Sequence, residues 1–299
     1  MKGVRGLRGA SLMAAALSAA LPSAAAVDLN ALWDFRQPAV SEQRFRAALE
    51  TARGDDALIL QTQIARTYGL RRDFKTAREI LGAIEAQAKA AGAEAQVRWQ
   101  LEYGRSHASG THPPETQTPE AKAIARQAWQ TALDTARAAQ LDGLAIDAIH
   151  MFAFLDTAPA DQLRWGQAAL AVVEASKQPE GQRWEASVRN NVGLALHKLG
   201  RYEEALVHFQ RAVLLRERGT NPQNTRVAHW MVAWTLRALK RGDEALVIQL
   251  RLEREGDAAG QPDPYVYDEL EALFREQGHA TRASHYAALA ASSRQTPAK

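Results

Sequence analysis

From Arg189 to Ala212 the chain reads RNNVGLALHKLGRYEEALVHFQRA, and the spacing of its small residues leaves few folds open. Gly193 and Ala205 lie twelve residues apart, with Gly200 and Tyr202 between them and Phe209 and Ala212 beyond. That interval holds the end of one helix, a tight turn and the start of the next. At a close helix crossing only a small side chain lets two backbones approach, and bulky neighbours fill the seam. The same interval joins Ala65 to Ala77, Ala233 to Ala245, and Glu271 to Ala283, where the first position is not small. Tyr68, Leu196, Leu236 and Phe274 follow the first position by three, and Leu81, Phe209 and Ala287 follow the second by four. This is the stripe of an amphipathic helix.

A unit recurring through a chain points to a stacked array rather than to one large core. The unit resembles the tetratricopeptide repeat, best at 186–219, well at 58–91 and 226–259, and more loosely at 95–139, 141–177 and 264–297. The resemblance implies an all-α fold, a right-handed superhelical solenoid of tetratricopeptide-type helix pairs over 58–297. Residues 27–57, with Pro38 suited to a first helical turn and Phe45, Ala48 and Leu49 as an apolar stripe, are expected to form one leading helix that caps the stack. Gly92, Gly143, Gly181, Gly200, Gly219 and Gly260 stand where helices should stop. Ser106 to Glu120, with three prolines and no apolar periodicity, is expected to be an exposed loop.

Charge bears on what such an array binds. The formal net charge is +3, but Lys2, Arg5 and Arg8 open the chain and no acid precedes Asp28. Without residues 1–26 the 37 basic residues fall by those three to 34, matching the 34 acidic ones. No nucleic-acid partner is therefore expected. Residues 1–26 carry a basic start, an apolar run from Ala10 to Leu21, Pro22 and a small-residue site at Ala24 to Ala26. That is the layout of a secretory signal peptide, too short in its apolar part to span a bilayer. The mature chain is expected to be periplasmic or secreted, with no stable membrane insertion. The chain has no cysteine, so it has neither disulfides nor thiolate metal ligands.

No catalytic signature stands out. H-E-x-x-H, G-x-x-x-x-G-K-[ST], G-x-S-x-G and S-x-x-K are all absent, and the eight histidines are scattered. No enzymatic activity, metal or cofactor is expected. The resemblance implies instead a scaffold or adaptor whose first helices line a concave groove for a protein or peptide. On the best units, Asn190, Asn191 and His197 fall on that side of one first helix, and Arg226, Trp230, Trp234 and Arg237 on that side of the next. A carboxamide such as Asn191 pairs with a peptide backbone whatever its side chains. Subfamilies that grip a chain-terminal carboxylate add a Lys or Arg in the following unit, where this chain has Met231. An alternative is an envelope accessory that recognises a cell-wall or polysaccharide component, with Trp129, Trp165 and Trp230 stacking on sugars. The alanine-rich last unit, with Ala287, Ala288, Ala290 and Ala291, leaves weak self-association open.

Overall fold

The computed structural model describes residues 27–295, so the leader expected over 1–26 lies outside the described residues. The chain is an all-α solenoid, and no strand occurs among the described residues. The leading segment is two helices, not one. A short α1 (Leu29–Leu32) is followed by α2 (Pro38–Leu49). Pro38 keeps Gln37 out of helical geometry, and Ser41 Oγ accepts from the Asp34 amide at 2.7 Å, fixing the bend between them.

Six helix pairs follow among the described residues: α3 (Gly54–Leu70) with α4 (Phe74–Ala83), then a short α5 (Glu85–Ala90); α6 (Ala93–His107) with α7 (Pro119–Ala138); α8 (Asp142–Phe152) with α9 (Pro159–Ala175), then a four-residue α10 (Pro179–Gln182); α11 (Glu185–Lys198) with α12 (Tyr202–Glu217); α13 (Pro222–Ala238) with α14 (Gly242–Ala258); α15 (Pro264–Glu276) with α16 (Ala280–Gln295). Proline opens α2, α7, α9, α13 and α15, where the missing N–H leaves no bond unmade. Asp73, Thr118 and Asn221 cap their helices by accepting from amides in the first turn.

Four of the pairs turn by one device. Arg72, Gly200, Lys240 and Gly278 each take a left-handed conformation just past the first helix, with φ of 65°, 75°, 62° and 79°. The next amide then reaches back to a carbonyl in the last turn: Asp73 to Tyr68, Arg201 to Leu196, Arg241 to Leu236 and His279 to Phe274, at 2.8–3.0 Å. Those acceptors are the bulky residues three places after each first position. The bond satisfies a carbonyl the helix end would otherwise leave open.

The seams between paired helices are dry. Ala205, Ala233 and Ala245 are fully buried, and Ala65 and Ala77 nearly so. Gly193 faces the Phe209 ring, and Gly104 faces the Trp129 indole. The apolar interior runs unbroken from Val97 on α6 to Leu273 on α15, with smaller clusters closing the two ends.

Two expectations from sequence are corrected. Gly143 and Gly181 do not end helices: Gly143 lies in the first turn of α8 and Gly181 inside α10. There they let two chain segments touch, since a Cβ on Gly143 would fall 3.0 Å from the Glu180 carbonyl oxygen. The Ser106 to Glu120 connection is exposed from Pro114 to Thr116 as expected, but its first part packs against the array. His112 within it is buried and lies flat on Phe74, ring centroids 3.5 Å apart. Its Nδ1 sits 2.9 Å from Ser109 Oγ and its Nε2 3.2 Å from the Ser106 carbonyl.

Candidate functional site

The first helices of successive pairs bring polar residues to one face. A cleft of about 610 Å³ opens there. Gln63 and Arg66 come from α3, Glu94 and Arg98 from α6, Asp147 from α8, and Arg183, Trp184 and Ser187 from the end of α10 and the start of α11. The segment before α2 forms one wall. Trp33 and Phe35 stack at 4.5 Å, Trp33 Nε1 donates to Gln63 Oε1 at 3.1 Å, and the Arg66 guanidinium sits 5.6 Å from each ring centroid.

A chain of buried charges underlies this cleft. Arg105 reaches Glu102 and Asp147, each at 2.5 Å, and Arg66 reaches Glu102 at 3.4 Å. Burial pushes the Asp147 carboxyl up, but the Arg105 and Arg66 guanidiniums outweigh it and hold the group below its ordinary value. Burial likewise disfavours the Arg105 cation, and Asp147 and Glu102 reverse that and raise it. Two cations and two carboxylates balance, so the cleft floor is polar without net charge.

Trp184 and Ser187 also border a second cavity, of about 300 Å³, lined by His150, Asn190, Asn191, Arg216 and Asn224. His150 and Asn191 in turn border a third cavity of about 230 Å³, whose walls are Phe154, Trp165, Val188 and Leu194. Asn191 Nδ2 and His150 Nδ1 lie 3.3 Å apart, and burial pushes the His150 imidazole down.

The residues singled out from sequence are not brought to one place. Asn190 and Asn191 line the middle cavity. His197 on α11 and Trp230 and Trp234 on α13 form a separate stack, with Arg237 on α13 near it. His197 lies on Trp234 with centroids 3.4 Å apart, and Trp234 on Trp230 at 5.6 Å. Trp230 Nε1 donates to the Tyr265 carbonyl at 3.1 Å. Arg237 makes two 2.8 Å bonds to the buried Glu269 and one of 3.1 Å to Glu276, so carboxylates of its own chain hold it. Arg226 bonds Gln223 and, at 2.9 Å, Gln261. Trp129 is fully buried and donates to the Leu101 carbonyl at 3.2 Å, which removes it as a sugar platform. Trp165 stacks on Phe152 and donates to Asp156.

Sequence reasoning missed Arg66, Glu102, Arg105 and Asp147. A signal was present: Asn191 precedes Gly193 by two, and the same offset before Ala65 and Gly104 selects Gln63 and Glu102. Among the described residues no group of three or more metal-binding side chains converges, and no helix is long and apolar enough to cross a membrane.

Residues 184–251, which include α11, α12, α13 and the first part of α14, match the family model of the tetratricopeptide repeat. This segment is similar to the tetratricopeptide repeat. Solved structures of similar fold cover more of the chain. One is a Signal Transduction ATPase with Numerous Domains protein with a tetratricopeptide repeat sensor, from Pyrococcus horikoshii: TM-score 0.62, 14% identity, 85% of this chain covered. The chain spans 38% of that protein's length. Another is aspartyl phosphate phosphatase F from Bacillus subtilis: TM-score 0.51, 16% identity, 88% of this chain and 77% of that one. At these identities the likeness is one of fold. No curated protein matches the chain.

Proposed function

We propose that this tetratricopeptide-type array is a non-enzymatic scaffold or adaptor that holds an extended segment of a protein or peptide partner along its inner face. The observation that supports the reading is that two openings adjoin along successive first helices. Trp184 and Ser187 border both the 610 Å³ opening and the 300 Å³ cavity, so the two lie side by side along α3, α6, α8 and α11. Their walls alternate aromatic rings with carboxamides, guanidiniums and carboxylates. Such walls pair with a peptide backbone and leave side chains to set specificity. Fold by itself does not give function, so the site has to be tested directly.

Peptides displayed on phage and selected on the immobilised full chain provide that test. Enriched sequences are expected to lose at least tenfold in affinity for a variant carrying Arg98→Glu with Arg183→Glu, at unchanged helicity. Absence of enrichment over the blank matrix, or affinity indifferent to both charge reversals, would defeat the reading.

We further infer that the chain is exported. The layout of residues 1–26 supports this, as does the neutral charge that follows their removal. Intact-mass measurement on protein from the exported fraction should give a chain beginning at Val27. A chain retaining residues 1–26 there would contradict it.

A further inference from the structure

Arg216 differs from the other cations of the groove. Arg66, Arg98, Arg105 and Arg183 all pair with carboxylates. Two nearby arginines, Arg189 and Arg211, share Glu185. Among the described residues no carboxylate pairs with Arg216, and its guanidinium makes one side-chain bond, to Ser187 Oγ at 2.7 Å. It is half-buried, and burial alone acts on it, pushing it down, with no neighbouring charge in opposition. A guanidinium has five donors, and a desolvated cation without a counter-ion is a costly arrangement to keep.

The cavity it lines has a matching deficit. Asn190, Asn191, Asn224, Ser187 and the neutral His150 surround it, and no Asp or Glu borders it. One fixed positive charge among carboxamides suits one negative charge. The planar fork of arginine fits a carboxylate in particular. A phosphate dianion would leave a charge unmatched. Through His150 and Asn191 this polar cavity adjoins the apolar one walled by Phe154, Trp165, Val188 and Leu194. Each is small, and the larger reaches the lower end of the range for small-ligand sites, about 300–1,000 Å³.

We propose that the two cavities form one site for a monocarboxylate carrying a single compact apolar group, with Arg216 as its counter-ion. The carboxylate lies against Arg216 and the asparagine carboxamides, and the apolar group enters between Phe154, Trp165 and Leu194. The site goes beyond the peptide reading, since it needs only α8, α9, α11, α12 and the start of α13. It stands whether or not the long cleft takes a peptide.

Calorimetric titration of the full chain at fixed ionic strength tests this with defined probes. N-acetyl-leucine is expected to bind saturably. N-acetyl-leucinamide, which lacks the charge, and N-acetylglycine, which lacks the apolar group, are each expected to bind at least tenfold more weakly. Arg216→Gln should abolish binding of N-acetyl-leucine without lowering the melting temperature, because it removes a cation that has no internal counter-ion. A structural Arg216 would instead show as a lower melting temperature in that variant. In wild-type protein the Arg216 Nε–Hε resonance should shift with N-acetyl-leucine and stay in place with the amide. Free 4-methylpentanoate and a pentapeptide ending in leucine separate the two sources of such a group, and binding of either supports the site. The proposal is overturned if N-acetyl-leucine fails to bind, if the amide binds equally, if inorganic phosphate binds more tightly, or if Arg216→Gln binds as wild type does.

Discussion

The Phe209 ring lies so close to Gly193 that a Cβ on the glycine would fall 2.7 Å from the nearest ring carbon. Phe209 is fully buried, so it has no free space into which to withdraw. Gly193→Ala therefore forces a shift in a dry seam, at a cost of about 1–3 kcal/mol. Gly82, inside α4, has nothing within 4 Å of the place an alanine Cβ would take. Gly82→Ala should be neutral or stabilise by up to about 1 kcal/mol. Urea unfolding midpoints of the two variants check the contrast. Equal midpoints would show that the crossing is not tight.

Arg105 is the pivot of the charge chain beneath the cleft. Arg105→Met leaves Glu102 and Asp147 buried beside a single remaining guanidinium, that of Arg66. Breaking a buried ionic set from one side costs about 3–5 kcal/mol. The expected result is a lowered unfolding midpoint, with hydrogen exchange accelerated first in α6 and α8. A loss below about 1 kcal/mol, well short of that range, would mean that the chain of charges adds little.

His197 lies stacked on Trp234, where burial and the nearby Arg237 guanidinium push its imidazole down to about 4. The unfolded chain binds a proton at its ordinary value of 6.5, so between about 6.5 and 4 the unfolded state holds more protons. Stability is complete above that window and declines as the pH falls through it. His107, His112, His150, His208 and His229 are shifted the same way and act with the same sign. His197→Gln should shrink, without removing, the fall in melting temperature between about pH 7 and pH 4. An undiminished fall would place the titration elsewhere.

The helix pairs were legible because small residues at a fixed interval report a close crossing directly, as Ala233 and Ala245 do. The turn residues were half legible. Gly200 and Gly278 announce a left-handed stop, but Arg72 and Lys240 adopt it with side chains that carry no such signal. The burial of His112 was hidden because its support is Phe74, 38 positions earlier, and no periodicity links the two. Arg237 read as a cation open to a partner, since nothing in the sequence shows that Glu269 lies beneath it. Asn190 and Asn191 were placed from the repeat spacing. Arg216 escaped it because that spacing weighed only first helices, and Arg216 belongs to a second one.

The central claim is that the partner lies inside the curve of the array. Photo-crosslinking from p-benzoylphenylalanine at position 98 or 183, in the cleft, against position 207 or 247, where Val207 and Val247 stand exposed on second helices, tests it most directly. A peptide selected on the full chain should couple to 98 and 183 and stay at background from 207 and 247. Coupling from 207 or 247 with none from the cleft would place the binding surface outside it and contradict the claim.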